Sequence, residues 1–297
     1  MRFLKKTNFQ FISNRKFGYI FSGTLIGISI LSLILHGGPK YNIDFTGGTL
    51  IQLKFDKPIE IETVRSALAT RGYGESEIKH FGSNQEISIR AGVERTAEEI
   101  STTMEKVIEQ AIPDNPFVIQ RVEKVGPKIG KELIFQALEA IFWAMVLILI
   151  YVMWRFEFKF SIGAIAALMH DVIITLGIFS VLEVEISAPI IAAVLTIVGY
   201  SLNDTIVVYD RIRENLKLSK KSVLELPTTI NRSINETLSR TIITSGTTLI
   251  VVVILYFFGG EVLRTFAFAL IIGIVIGTYS SIFIASPFVV DWRTKKA

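Results

Sequence analysis

The chain has no cysteine and only three histidines, His36, His80 and His170, among 297 residues. Disulfides and thiolate metal sites are therefore excluded, and histidines so widely spread leave little basis for a metal centre. A phosphate loop is also missing. Gly126-Pro127-Lys128-Ile129-Gly130-Lys131-Glu132 has one residue too few between its glycines, and it carries Glu132 where Ser or Thr would have to reach magnesium. The segment reads instead as a linker in which Pro127 halts a strand. With no nucleophile, metal cluster or phosphate loop, an enzyme is the least supported class.

What the chain has in quantity is apolar. Half of it is hydrophobic (50%) and the mean hydropathy is +0.49, which over such a length indicates a membrane protein. Apolar runs of roughly 18 to 25 residues, enough to cross about 30 Å of hydrocarbon, fall at 17–35, 133–154, 161–182, 186–208, 241–258 and 263–290. The last is long enough to tilt. The first has a basic start but too long an apolar core for a signal peptide and no small-x-small cleavage pattern, so it reads as a retained anchor.

The net charge of +4 and a pI near 9.1 do not indicate a nucleic-acid groove, because Lys and Arg gather beside particular spans. Arg2, Lys5, Lys6, Arg15 and Lys16 precede the first span. Arg155 and Lys159 follow the second, Arg211, Arg213, Lys217, Lys220, Lys221 and Arg232 the fourth, and Arg293, Lys295 and Lys296 the sixth. The loops between them carry Glu183, Glu185 and Glu261, with Arg264 nearby. The positive-inside rule then predicts six spans with both termini in the cytoplasm. The expected layout is a cytoplasmic tail at 1–16, a first span at 17–35, an extracytoplasmic domain at 36–130, and a membrane core at 131–290 with a cytoplasmic loop at 209–239. A cytoplasmic tail at 291–297 completes it.

Within 36–130 hydrophobicity drops and alternation appears. Strands are expected at 50–55, 77–81, 86–90 and 117–122, and helices at 59–71 and from Thr96 to 112. The order β-α-β-β-α-β predicts an α+β ferredoxin-like domain. The glycine pair in Asp44-Phe45-Thr46-Gly47-Gly48-Thr49 permits a sharp turn between anchor and first strand without any ligand.

An ionisable group at membrane depth is by default a functional hypothesis, and Asp204 stands near the end of the fourth apolar run. It could move protons, pair with a cation, or cap the helix at the membrane surface. Tyr200 and Ser201 precede it by four and three residues on the same helical face. Such hydroxyls, with water, would let a carboxylate load and release a proton. Arg240, at the inner end of the fifth span, falls at about the same depth and is a fixed charge able to pair with it. Alternatively, an ion pair with Glu236 one turn away and positive-inside anchoring would account for the arginine completely.

His170-Asp171 sits deeper, in the third span, and reads equally as a second relay station or a structural knot between helices. Asn203 is expected to donate to a neighbouring helix, and Asp210, Arg211, Arg213 and Glu214 to form a solvated cap. Thr244 belongs to a hydroxyl-rich stretch, 241–248, that could line a hydrated path or knit helices together. Gly23 with Gly27, and Gly273 with Gly277, make Gly-x-x-x-Gly patterns expected to let helices pack closely.

These residues match a family. Tyr41-Asn42-Ile43-Asp44-Phe45-Thr46-Gly47-Gly48-Thr49 resembles the Asp-Phe-x-Gly-Gly-Thr element of the SecD/SecF family. Gly199-Tyr200-Ser201-Leu202-Asn203-Asp204-Thr205-Ile206-Val207-Val208-Tyr209-Asp210-Arg211-Ile212-Arg213-Glu214-Asn215 resembles the signature of its SecF branch. Leu238-Ser239-Arg240-Thr241-Ile242-Ile243-Thr244-Ser245-Gly246-Thr247-Thr248 and Val125-Gly126-Pro127 are similar to SecF as well, so the resemblance spans essentially the whole chain. The SecD branch fits less well, having Asp-Ala-Asn in its fourth span and a larger external region. Tyr209 stands where the family often has Phe.

The resemblance implies half of a resistance-nodulation-division membrane core in the bacterial inner membrane. It implies a SecD partner, the SecYEG translocon, YidC- and YajC-type accessory proteins, and an unfolded polypeptide in transit, with no cofactor. It further implies use of the proton-motive force late in protein export, with Asp204 and Arg240 in the proton pathway. A small-molecule exporter of the same superfamily and a purely structural subunit are the rival readings. Whether H⁺ or Na⁺ is the coupling ion stays open, because one carboxylate among hydroxyls can serve either.

Overall fold

The computed structural model describes residues 7–92, 97–219 and 225–294. Arg2, Lys5, Lys6, Thr96, Lys220, Lys221, Lys295 and Lys296 lie outside the described residues, as do the side chains of Glu261 and Arg293. The chain forms two compact units: Tyr41–Leu138, and Met1–Lys40 together with Glu139–Ala297.

The smaller unit opens with a single-turn helix α1′, Ile43–Thr46, capped by the Asn42 side chain, which accepts from the Asp44 amide at 3.0 Å. Gly47 and Gly48 follow with φ of 76° and 134°, a turn that side-chain-bearing residues resist. Strand β1, Gly48–Phe55, leads to helix α2, Ile61–Ala69, then β2, Glu77–Phe81, β3, Ser83–Ala91, helix α3, Ala97–Ala111, and β4, Phe117–Val125. The sheet is antiparallel throughout in the order β2-β3-β1-β4, with a register shift between Gln52 and Leu53 where β1 pairs β4. This is the ferredoxin-like arrangement that the alternation predicts.

Its core joins Ile51, Leu53, Phe55, Ile87 and Ile89 of the sheet to Val64 and Leu68 of α2 and Ile100, Met104 and Ile108 of α3. Leu68 is wholly buried, so Leu68→Ala is expected to cost about 2–5 kcal/mol. Val118→Ala, on an exposed stretch of β4, should stay within about 0.5 kcal/mol. Hydrogen exchange of the β1 amides in the full chain reads the difference.

Val125-Gly126-Pro127 is a strand-to-helix junction. β4 ends at Val125 and the next helix begins at Pro127, where a missing N–H costs nothing. The two glycine motifs meet here. A Cβ on Gly130 would lie 2.4 Å from the Phe45 carbonyl oxygen, and one on Gly47 would lie 3.0 Å from Pro127 Cα.

Six helices are long and apolar enough to cross a membrane, so this is a multi-pass membrane protein. They are designated by span: H1, Arg15–Leu35; H2, Pro127–Arg155; H3, Phe158–Val181; H4, Ala188–Ser219; H5, Leu226–Phe258; and H6, which begins as Gly260–Ser280. H3, H4 and H6 form the centre. H3 buries 61% of its apolar window, whereas H2 buries 6% and leaves Phe135, Phe142, Trp143, Leu147 and Trp154 exposed.

Helix hydrogen bonding does not stop where apolarity stops. H4 runs eleven residues past its apolar run to Ser219 and H5 starts at Leu226, so most of the stretch expected as a loop is helical. H6 is also not one continuous α-helix. A π-helical segment, Ser281–Ala285, interrupts it before Ser286–Thr294, and the Ser286 hydroxyl donates to the Ser281 carbonyl at 2.8 Å. The Tyr209 hydroxyl donates to the Ala285 carbonyl in that segment at 3.0 Å.

Close helix approach does not use Gly23 and Gly27 within this chain. A Cβ on either would meet nothing within 4 Å among the described residues. H1 instead turns Gly18, Ser22, Ser29 and Ser32 inward, and Ser29 sits directly over Gly177 of H3. At H6, a Cβ on Gly273 or Gly277 would lie 2.2 Å from Ile197 or 2.9 Å from Ser201 of H4. Ahead of H1, the main chain at Phe9 and Ile12 is held against H5. Asn235 accepts from the Phe9 amide at 2.8 Å, Asn231 accepts from the Ile12 amide at 3.1 Å, and both donate to the Phe9 carbonyl at 2.9 Å.

Candidate functional site within the helices

Asp204 projects from H4 into the helix interior and is 3% exposed. Its Oδ2 accepts from the Ser245 hydroxyl of H5 at 3.2 Å, and Ser245 is 2.7 Å from the Thr278 hydroxyl of H6. Three helices thus converge on one carboxylate. The capping alternative fails, since H4 continues for several turns beyond it.

Arg240 stands on H5, five residues before Ser245, and is exposed to a cavity of about 910 Å³. Its charge acts on Asp204 through space, but among the described residues the two form no ion pair. The alternative pairing with Glu236 is not made either. Glu236 binds Arg211 of H4 at 2.7 Å and Arg232 at 3.7 Å. Besides Arg240, the cavity is lined by Arg211, Arg232, Asn231, Asn235 and Thr244. Thr244 bonds back to the Arg240 carbonyl at 3.0 Å and does not reach Asp204.

Tyr200 lies one turn before Asp204, and its hydroxyl, like those of Thr205 and Thr241, is buried without a hydrogen-bond partner among the described residues. Asn203 is exposed and donates to no helix among the described residues, because it occupies the face of H4 opposite the contact with H6. Asp210 and Arg211 are partly exposed and Glu214 is exposed. They carry ion pairs, Asp210 with Arg155 of H2 at 3.1 Å, Arg211 with Glu214 within H4 at 2.6 Å and with Glu236 of H5 at 2.7 Å.

His170 and Asp171 of H3 are both buried and adjoin the Asp204 site. The imidazole Nδ1 is 2.8 Å from Asp171 Oδ1, and its Nε2 is 3.0 Å from the Ser22 hydroxyl of H1. Asp171 Oδ2 accepts from Ser201 of H4 at 2.6 Å and from Ser280 of H6 at 2.8 Å. Ser201 is one turn from Asp204 on the same helix, and Ser280 follows Thr278 by two residues, so both carboxylates address the seam between H4 and H6. Sequence reading missed Ser22, Thr278, Tyr279 and Ser280. Isolated hydroxyls in apolar runs carry no positional signal. The one available cue was a cluster, Thr278-Tyr279-Ser280-Ser281, deep in the last span.

The model of the SecD/SecF C-terminal region of protein export membrane proteins matches residues 103–295, and that of the SecD/SecF GG motif matches residues 33–59. A protein translocase subunit SecF from Desulfurispirillum indicum is 49% identical over 96% of this chain and 92% of its own length. Another, from Rhodothermus marinus, is 46% identical over 100% of this chain and 97% of its own. The crystal structure of SecDF, a translocon-associated membrane protein from Thermus thermophilus, superposes with a TM-score of 0.87 at 39% identity over 97% of this chain. The present chain spans 39% of that longer protein. By its full-length relatives, its two motif regions and its fold, the chain belongs to the SecD/SecF family of protein export membrane proteins, on the SecF side.

Proposed function

We propose that this chain is the SecF component of an ion-driven protein-export machine in the bacterial inner membrane. It works there with a SecD partner to help draw secreted polypeptides through the SecYEG translocon. Both termini face the cytoplasm, and the ferredoxin-like domain stands outside. Charge placement supports that orientation. The partner is supported by the matching SecDF structure, in which a region like this chain is continuous with a longer protein. The largely exposed H2 adds to this support.

The observation that carries the proposal is Asp204, a carboxylate buried where three helices meet, bonded to one hydroxyl and with a guanidinium nearby. A buried ionised carboxylate is costly unless a charge or a bound cation compensates it. Ion binding therefore competes with the approach of Arg240. When the ion is bound, Asp204 is neutralised and Arg240 is released toward the cavity; when the ion leaves, attraction draws H5 back toward H4. His170 and Asp171 form a second station, joined to H4 through Ser201. The uncommitted hydroxyls of Tyr200, Thr205 and Thr241 can take up hydrogen bonds as the helices shift.

Flux into liposomes containing the chain and its SecD partner tests this reading. Under an imposed potential the wild type should carry current, and Arg240→Leu should slow it roughly tenfold or more, as loss of a short-range charge in a partly screened site implies. Absence of wild-type flux with either H⁺ or Na⁺ overturns the ion-driven reading in favour of a structural subunit.

A further inference from the structure

The hydrogen bonds around His170 can be oriented one by one, beginning from a group that can only accept. The Tyr279 hydroxyl is 2.7 Å from the Gly18 carbonyl of H1 and donates to it. That hydrogen being used, the 3.0 Å contact between Tyr279 and Ser22 requires Ser22 to donate to the tyrosine oxygen. Ser22 then has no hydrogen left for His170, so the 3.0 Å contact to Nε2 requires Nε2 to carry one. At the other side of the ring, Nδ1 and Asp171 Oδ1 stand 2.8 Å apart, a distance that demands a hydrogen between them. Asp171 Oδ2 already accepts from Ser201 and Ser280.

We infer that Tyr279 sets the number of protons held by the His170–Asp171 pair. Its hydroxyl, anchored on a backbone carbonyl, makes Nε2 a donor, and the pair therefore stores one proton more than a neutral imidazole beside a carboxylate. The stored proton lies on Nδ1 or on Oδ1, and in either position the pair is electrically neutral, as burial favours. Loss of that proton with Nε2–H retained would leave two lone pairs facing each other at 2.8 Å, and the ring would have to move. Without the tyrosine hydroxyl, Ser22 is free to turn and donate to Nε2. A hydrogen on Nδ1 then serves the ionised Asp171, and the pair is satisfied with one proton fewer. Tyr279 is thus a positioning residue for the second station, and its phenol ring stacks on the imidazole at 6.1 Å between centroids.

Among the described residues the surrounding elements offer no competing charge in contact. H1 presents Ser22, H4 presents Ser201, and H6 presents Tyr279 and Ser280; among the described residues Tyr279 is the only other titratable group bonded into the network. Asp204 lies one turn beyond Ser201, and Asp291, near the end of H6, is engaged by Arg15 and Tyr19. The inference rests on the proposed function only for the use made of the proton; its count follows from hydrogen bonding.

The test is nitrogen NMR of the full chain in lipid bilayers with ¹⁵N-labelled histidine. Only three histidines are present, and His170 is identified by the signals lost in His170→Gln. The wild type near neutral pH should show hydrogen on Nε2. Tyr279→Phe, which keeps the stacked ring, should show a bare Nε2 with hydrogen on Nδ1. A bare Nε2 in the wild type, or a variant whose spectrum matches the wild type, overturns the inference. If the variant does not fold, the wild-type Nε2 decides alone. Because no readout involves flux or export, a chain with the expected tautomer and no ion-driven flux loses the proposed function and keeps this proton count.

Discussion

Asp204→Asn is expected to abolish the gradient-dependent part of protein export while leaving assembly with the SecD partner at wild-type yield. The substitution keeps the shape of the side chain, and the Ser245 hydroxyl can still donate to the remaining carbonyl oxygen at the position where it now meets Oδ2. What it removes is the ability to alternate between charged and neutral. A potential of 100 mV is worth about 2.3 kcal/mol per elementary charge, roughly a fiftyfold bias on a two-state element, and the variant forfeits all of it. Translocation of a secreted precursor into inverted membrane vesicles, with and without an imposed gradient, measures that increment. An increment that survives in Asp204→Asn would remove Asp204 from the ion pathway. A failure to copurify with the partner would make the residue structural.

Gly177→Val is expected to be the most disruptive single substitution at a helix contact. A Cβ at this position would lie 2.0 Å from the Ser29 hydroxyl, 2.1 Å from its Cβ and 2.7 Å from its Cα. The serine side chain could turn away, but its Cα belongs to the backbone of H1, so H1 itself must retreat from H3. Two hydrogen bonds depend on that approach, Ser32 to Ser180 at 2.8 Å and Ser22 to His170 at 3.0 Å. Overpacking of about 1–3 kcal/mol then adds to about 0.5–1.5 kcal/mol for each bond lost. Gly23→Val and Gly27→Val on the same isolated chain should stay within about 0.5 kcal/mol, since no atom of the described residues stands within 4 Å of either Cβ position. Thermal unfolding of the three variants ranks them, and equal losses at Gly27 and Gly177 would mean that H1 packs by its other face.

The contrast between these glycines shows where sequence reading succeeds. The Gly-x-x-x-Gly spacing at 273 and 277 marks a real contact, with Ile197 and Ser201 filling the space that a side chain would occupy. The same spacing at 23 and 27 marks none among the described residues, because spacing fixes which residues share a helical face and says nothing about what that face meets. Serines at 22, 29 and 32 take the inner face of H1, and no pattern of small residues in the sequence singled them out. The π-helical segment is equally silent, since Ser281-Ile282-Phe283-Ile284-Ala285 reads as any apolar helix.

Long-range order within the small domain was more legible, because strand alternation and helical periodicity are local consequences of which side faces a core. Those signals alone yield the order of strands and helices, and the ferredoxin-like pairing follows from them. The six spans were legible for the same reason: hydrocarbon demands an uninterrupted apolar surface from each helix separately. Asp204 and the His170–Asp171 pair stood out because a carboxylate or imidazole in such a surface is expensive and therefore conspicuous.

By itself, then, the sequence determined that this is a six-span membrane protein with one α+β domain, and that Asp204, Arg240, His170 and Asp171 are its unusual charges. Only the tertiary structure decided which groups those charges meet. It gave Asp204 the Ser245 hydroxyl and no direct bond to Arg240, assigned Glu236 to Arg211, and joined His170 to Tyr279 through Ser22. The physical reason is that the cost of burying a charge is local and can be read from one helix, whereas its compensation comes from hydroxyls on other helices. Those hydroxyls are too cheap to bury to leave a mark on the sequence.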